Sequence, residues 1–73
     1  MMNSICIISF YKFIKISDLN SLKLNIEKIC KKFETKGTIL IAPEGINGTI
    51  EGSNINIKSF LKELKINKKF SDL

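Results

Sequence analysis

The sequence contains no histidine, no arginine and no tryptophan, and only one proline and two cysteines occur among its 73 residues. Without histidine, the chain cannot form a Cys–His catalytic pair, and two thiols cannot complete the usual four-ligand structural zinc site. Cys6 and Cys30 also lie outside any CxxC pair. We therefore predict that each is a free, buried thiol that behaves as a small hydrophobe, and that the chain uses no metal and no cofactor.

Long hydrophobic runs are also missing. No stretch approaches the roughly 18–20 apolar residues that cross a bilayer, because Lys12 and Lys15 interrupt the longest candidate, Ile5 to Ile16. The N-terminus has no basic residue ahead of this stretch and no small-residue cleavage site after it, so a secretory signal is not indicated. No membrane contact is expected, the predicted compartment is the cytoplasm, and a disulfide would fit poorly there.

The charge balance is positive, since 12 lysines oppose seven acidic residues and give a formal net charge of +5. Such a charge favours a polyanion such as RNA through a sequence-independent attraction. Codon drift in an AT-rich genome would also enrich lysine, so the charge supports RNA contact without establishing it. The candidate phosphate contacts are Lys12, Lys15, Lys65, Lys68 and Lys69.

The first half of the chain predicts a strand followed by a helix. Residues Ile5 to Ile16 are rich in β-branched and aromatic types, and strand alternation would place Tyr11 and Phe13 on one side and Phe10 on the other. Ser17 or Asp18 can cap the helix, and Gly37 is predicted to stop it. Its apolar residues repeat at three- and four-residue spacing: Leu19, Leu22, Ile26, Ile29, Cys30 and Phe33.

The second half predicts a hairpin followed by another helix. Residues Gly37 to Ala42 and Gly48 to Gly52 are strand-like, and we expect a loop over Pro43 to Asn47 between them. A two-residue turn at Asn47-Gly48 is disfavoured because Pro43 would then lie in a paired strand, where it cannot donate a hydrogen bond.

Ser53 or Asn54 can cap the second helix, whose apolar residues are Ile57, Phe60, Leu61 and Leu64. The tail from Ile66 to Leu73 shows no clear period.

The order strand, helix, strand, strand, helix predicts an α+β two-layer sandwich of the ferredoxin-like or acylphosphatase-like type, without its final strand. That strand would pair with the first one, so we expect Ile5 to Ile16 to form an exposed apolar edge. Residues 1–73 are therefore expected to be one domain that is truncated at its C-terminus.

The segment Gly37 to Gly52 (GTILIAPEGINGTIEG) holds all four glycines of the chain. Glycines let backbone N–H groups approach a ligand, so a phosphate or carboxylate nest is one interpretation; a turn is the other, since no Walker-type or GxGxxG pattern is present. The candidate ligand or tRNA contacts are Glu44, Gly45, Asn47, Gly48 and Thr49.

No catalytic residues are predicted, because no nucleophile–base pair and no second acid–base group beside Glu44 can be assembled from the sequence. Two activities of this topology also fit poorly. An acylphosphatase-type site needs a guanidinium, and the chain has no arginine. An RNA-recognition motif needs aromatic residues on its inner strands, and Gly48 to Gly52 has none.

The string GTILIAPEGINGTIEG, preceded by SFYKFI and followed by KFSDL, closely resembles the N-terminal domain of the bacterial rhodanese-related tRNA uridine hydroxylases, over essentially the whole chain. The resemblance implies a ferredoxin-type domain that a rhodanese domain follows in the same protein. It also implies oxygen-dependent hydroxylation of the wobble uridine of certain tRNAs, giving 5-hydroxyuridine. The partners so implied are tRNA and a rhodanese domain encoded downstream.

Two departures from the family pattern matter. The family's reactive cysteine lies in the rhodanese domain, so neither Cys6 nor Cys30 inherits that role. Where the family commonly has arginine before the Phe of the closing motif, this chain has Lys69, which lacks the bidentate phosphate grip of a guanidinium.

The resulting hypothesis is an N-terminal accessory part of a tRNA wobble-uridine 5-hydroxylase that is inactive alone. The alternatives are a stand-alone basic RNA-binding module, a protein-interaction module that pairs through its first strand, and a non-functional gene fragment.

Overall fold

The computed structural model describes residues 4–73, which form a three-stranded antiparallel sheet with two helices packed on one of its faces. In chain order the elements are β1 (Ile5–Phe13), α1 (Leu19–Lys32), β2 (Lys36–Ala42), β3 (Gly45–Ser53), α2 (Asn54–Leu64) and a short 3₁₀ helix, Lys68–Phe70. The strands lie in the order β1-β3-β2. This confirms the predicted α+β arrangement.

Strand β1 forms one edge of the sheet, as predicted. It pairs with β3 from Ile5 opposite Ser53 to Phe13 opposite Gly45. The strand ends three residues before the predicted Ile16, but the chain stays bonded to the neighbouring turn, since the backbone N–H groups of Ile14 and Ile16 each donate to a turn carbonyl at 2.9 Å.

The predicted loop between β2 and β3 is wrong. The two strands are joined by the two-residue turn Pro43-Glu44, with Ala42 and Gly45 as paired neighbours. Proline is harmless in the turn because no ladder hydrogen bond is required of it there. The strand begins early because its alternation buries Ile46, which is 3% exposed, together with Ile50.

Each helix begins at one of its two predicted capping residues. The Asp18 carboxylate accepts a hydrogen bond from the Ser21 backbone N–H at 3.0 Å, and the Ser53 hydroxyl accepts one from the Asn56 N–H at 3.2 Å. These side chains satisfy donors that the first turn of a helix leaves unpaired.

The predicted stop of α1 at Gly37 is wrong, since that glycine lies inside β2. The helix ends earlier, at Lys32, with Phe33 as its C-terminal cap, and Glu34 adopts the left-handed conformation with φ 52°. The Thr35 N–H then donates to the Cys30 carbonyl at 3.0 Å. A non-glycine residue thus performs the reversal that usually falls to glycine.

The core lies between the sheet and the helices and includes the predicted apolar stripes of both helices. Phe60 and Phe70 have no exposed surface, so the tail that showed no period supplies a central core residue. Cys6 and Cys30 are free and half-buried against this core. The buried residues are Ile16, Leu22, Ile26, Ile29, Ile46, Ile50, Ile57, Phe60, Leu64 and Phe70.

Neither helix among residues 4–73 has the length and apolar character that a membrane span requires.

Candidate functional site

The sheet face opposite the helices carries no second layer among residues 4–73. Side chains alternate along each strand, and the strand register places them in rows across this open face. One row is Tyr11, Asn47 and Leu40; the next, one step away, is Ser9, Thr49 and Thr38. All six side chains are exposed, so the open face is available to a partner.

Two aromatic rings dominate one end of the open face. Tyr11 is 69% exposed and Phe13 is 83% exposed, and their ring centroids lie 5.9 Å apart in a T-shaped arrangement. Phe10 points to the other side, where its ring centroid is 6.3 Å from that of Phe60. The predicted division of the three aromatics between the two sides of β1 is therefore confirmed.

Of the five candidate contacts of the glycine-rich hairpin, Glu44, Gly45 and Asn47 line one depression beside the turn, whereas Gly48 and Thr49 do not. Asn47 and Thr49 are exposed on the open face, Glu44 is exposed in the turn, and Gly45 and Gly48 are buried.

The glycines in β3 have packing roles. A Cβ on Gly48 would lie 2.7 Å from Phe10 Cζ, and a Cβ on Gly45 would lie 2.1 Å from the Lys12 carbonyl oxygen. Both positions therefore let β1 and its aromatic ring approach β3 more closely than any side chain would permit.

A shallow depression of about 210 Å³ lies beside the aromatic pair. Its lining includes Tyr11, Phe13, Glu44 and Asn47. Among the described residues, no side-chain hydrogen bond or ion pair involves the Glu44 carboxylate. The depression thus offers aromatic faces next to an amide and a carboxylate.

Of the five candidate phosphate contacts, Lys12 is engaged within the protein. Its ammonium donates to the Lys69 carbonyl oxygen at 2.7 Å and to the Asp72 carboxylate. It therefore ties the tail of the chain to the end of β1. The other four candidates, Lys15, Lys65, Lys68 and Lys69, have exposed side chains.

The hydrogen bond from Lys12 holds the pKa of the Asp72 carboxyl below its ordinary value of 3.8. The pKa of Asp72 is lower in the folded state than in the unfolded state. The Lys12–Asp72 pair therefore stabilises the fold fully at pH values above the pKa of the unfolded state. That contribution is lost as the pH falls through the folded value. It is small, since Asp72 is largely exposed to water.

Sequence reasoning missed part of the open face. Ser9 could have been found from the two-residue alternation of β1. Thr38 and Leu40 could not, because placing them beside Thr49 and Asn47 requires the register of β2 against β3.

No set of three or more His, Cys, Asp or Glu side chains within residues 4–73 is grouped closely enough to hold a metal ion.

The sheet order, with both helices on one face, defines the class of two-layer α+β domains that includes the acylphosphatases. Residues 5–73 match the family model described as the UPF0176 acylphosphatase like domain. The chain belongs to this family, which confirms the resemblance seen in the sequence.

Relatives named tRNA uridine(34) hydroxylase share this region. The protein from Wolbachia sp. subsp. Brugia malayi is 41% identical over 70 residues, which are 96% of this chain and 26% of that protein. The proteins from Cupriavidus pinatubonensis and Acaryochloris marina are each 39% identical, over 90% and 99% of this chain and 23% of each relative. The chain thus spans about a quarter of the length of these relatives and matches their N-terminal part.

Proposed function

We propose that this chain is the N-terminal accessory part of an oxygen-dependent tRNA wobble-uridine 5-hydroxylase and that it is inactive alone. The observation that carries the proposal is the identity of 39–41% to tRNA uridine(34) hydroxylases over nearly the whole chain, which spans only about a quarter of their length. The chemistry then belongs to the remaining part, which the family resemblance describes as a rhodanese domain. Its proposed place of work is the cytoplasm, where it would meet tRNA.

We further propose that residues 1–73 are an incomplete domain whose next strand pairs with β1. Two observations support this. The outer edge of β1 has no partner strand among the described residues, and Asp72 and Leu73 line a depression with Ser9, Tyr11 and Lys12. A segment following Leu73 would start beside the C-terminal end of β1 and could run back along its free edge as an antiparallel strand.

The hydroxylase proposal is tested by reconstitution. The chain is incubated in air with tRNA, alone and with the C-terminal three quarters of the Wolbachia relative, and 5-hydroxyuridine is measured by mass spectrometry of the digested tRNA. We expect product only when both parts are present, because the chain itself offers no nucleophile–base pair. The same mixture without oxygen is the control. Product from the isolated chain would overturn the proposal.

Direct tRNA contact is a second proposed role, favoured by the net charge of +5 and by the exposed lysines near the C-terminus. Affinity for tRNA should fall with salt, at a log–log slope of about −0.7 to −0.9 per phosphate contact. The double variant Lys68→Ser, Lys69→Ser should make the slope shallower by about one to two units. Lys28→Ser, which removes an exposed charge from α1, is the matched control. A salt-independent affinity would eliminate this role.

A further inference from the structure

The exposed side of β1 continues beyond the strand itself. The N–H groups of Ile14 and Ile16 donate to the Glu44 and Pro43 carbonyls, so the chain stays extended after Phe13. Ile14 is half-buried and Ile16 is buried, whereas Lys15 between them is exposed. Alternation therefore places Lys15 on the same side as Tyr11 and Phe13, and two aromatic rings are followed by one ammonium group.

This surface carries the two features that bind single-stranded nucleic acid without reading a long sequence. Exposed aromatic rings offer faces on which unpaired bases stack, and a neighbouring cation contacts the phosphate backbone. Asn47 and Glu44 border the rings and can bond to the edge of a base. The depression that these groups line, about 210 Å³, is large enough for one nucleobase.

The open face is a poor fit for a large protein partner because its apolar surface is divided. Ile5 and Ile7 lie at one end, while Tyr11, Phe13 and Leu40 lie at the other. Between them runs the row of three hydroxyl side chains, in which Ser9 Oγ and Thr49 Oγ1 are 3.0 Å apart. The divided apolar surface offers no continuous patch for the buried core of a large interface, whereas a single base needs only the aromatic end.

Charge also favours RNA as the occupant. The chain carries a net charge of +5, and of the three acidic residues on or beside the open face, Glu51 lies in register with Lys36 and Asp72 is paired with Lys12. Among residues 4–73, Glu44 is the carboxylate beside the rings that no ion pair engages, so it can accept a hydrogen bond from a base amino group.

We propose that Tyr11, Phe13 and Lys15 form a platform that binds an unpaired base and its phosphate in single-stranded RNA, with Asn47 and Glu44 at the base edge. This inference rests on the proposed tRNA contact and narrows it to an unpaired loop rather than a helical arm. Single-stranded loops are the parts of a folded RNA whose bases are free to stack on side chains.

The test measures binding of a fluorescein-labelled 12-nucleotide oligouridine to the 73-residue chain by fluorescence anisotropy, with a 12-base-pair RNA duplex as the comparison. We expect the single strand to bind more tightly than the duplex. Phe13→Ala should weaken single-strand binding by about 5- to 150-fold, the range for loss of one base–aromatic stack. Circular dichroism should show an unchanged fold, because Phe13 is 83% exposed.

Matched variants separate stacking from general hydrophobicity. Phe13→Trp should retain binding, whereas Phe13→Leu should lose it, since leucine keeps the apolar bulk without a π face. Ile7→Ala is the control on the same strand and face, at 66% exposure. Lys15→Ser should lower the salt slope by about 0.7, and Lys28→Ser should leave it unchanged.

Three other outcomes would each overturn the platform, and each leaves a different set of the remaining proposals standing. If Phe13→Leu binds like the original chain, the ring is not a stacking surface, although a steep salt slope would leave the tRNA contact standing. If no RNA binds at low salt, the platform and the tRNA contact both fall, while the hydroxylase assay still judges the remaining proposal. If sedimentation shows a dimer that Phe13→Ala dissociates, the face binds a second copy of the chain instead.

Discussion

Replacing Phe70 with alanine is expected to remove a large share of the stability of the domain at 25 °C. The Phe70 ring has no exposed surface and belongs to the core cluster with Phe60 and Leu64. Truncation of a fully buried phenylalanine costs about 3–5 kcal/mol. A 73-residue domain has only about 4–11 kcal/mol of stability in total, at 0.05–0.15 kcal/mol per residue. Phe70, a single side chain in the tail, thus contributes a large share of the free energy of unfolding.

The measurement is urea unfolding followed by circular dichroism at 222 nm. Ile66→Ala is the matched control, because Ile66 precedes the same 3₁₀ helix but is 71% exposed, so its truncation should change stability by less than about 0.5 kcal/mol. Equal midpoints for Phe70→Ala and Ile66→Ala would mean that the tail does not contribute to the core.

The burial of Phe70 could not be predicted from the sequence, although that of the two helix stripes could. Helix periodicity identified the stripes of α1 and α2 correctly, because each stripe is a repeated local signal over several turns. The tail holds one buried aromatic in a three-residue 3₁₀ helix, which is too short for any period. The side-chain hydrogen bonds that link the tail to β1 come from Lys12 and join positions 57 and 60 residues apart, so no local pattern indicates them.

The predicted loop between β2 and β3 is wrong for a related reason. Proline, glycine and asparagine in this segment favour turns, and Pro43 cannot donate in a paired strand, so these residues predict a loop over Pro43 to Asn47. Burial of Ile46 and the pairing of Asn47 opposite Tyr11 overrode that preference. Asn47 therefore lies on a sheet face beside an exposed aromatic ring and not in the predicted loop, and this changes the candidate site.

The unoccupied edge of β1 was predictable, because topology alone specifies it. A strand, helix, strand, strand, helix order leaves the first strand paired on one side, and the structure places β1 at that position. The binding properties of the edge and the open face were not predictable. They depend on which side chains share a row across the sheet, and the rows are known only once the register of the strands is known.

Gly45 is one of two positions, with Gly37, at which a single added methyl group should be highly disruptive. Its backbone φ is +156°, a conformation that side chains other than hydrogen rarely adopt. A Cβ there would also lie 2.1 Å from the Lys12 carbonyl oxygen and 3.1 Å from Phe13 Cα, both backbone atoms of β1. Neither atom can move away unless β1 separates from β3 where the two strands meet the turn.

Gly45→Ala should therefore lose at least about 3 kcal/mol of stability, because the backbone strain and the strand displacement both oppose it. Gly52→Ala is the matched control in the same strand, since a Cβ there makes only ordinary contacts, the nearest at 3.5 Å to Thr35 Cγ2. That variant should stay within about 1 kcal/mol of the original, helped by the lower entropy of its unfolded chain. Urea unfolding of both variants gives the comparison.

Because Gly45 lies opposite Phe13 in the register, Gly45→Ala should also displace the aromatic end of the open face. If the two variants unfold at the same urea concentration, β1 does not depend on close approach at the turn.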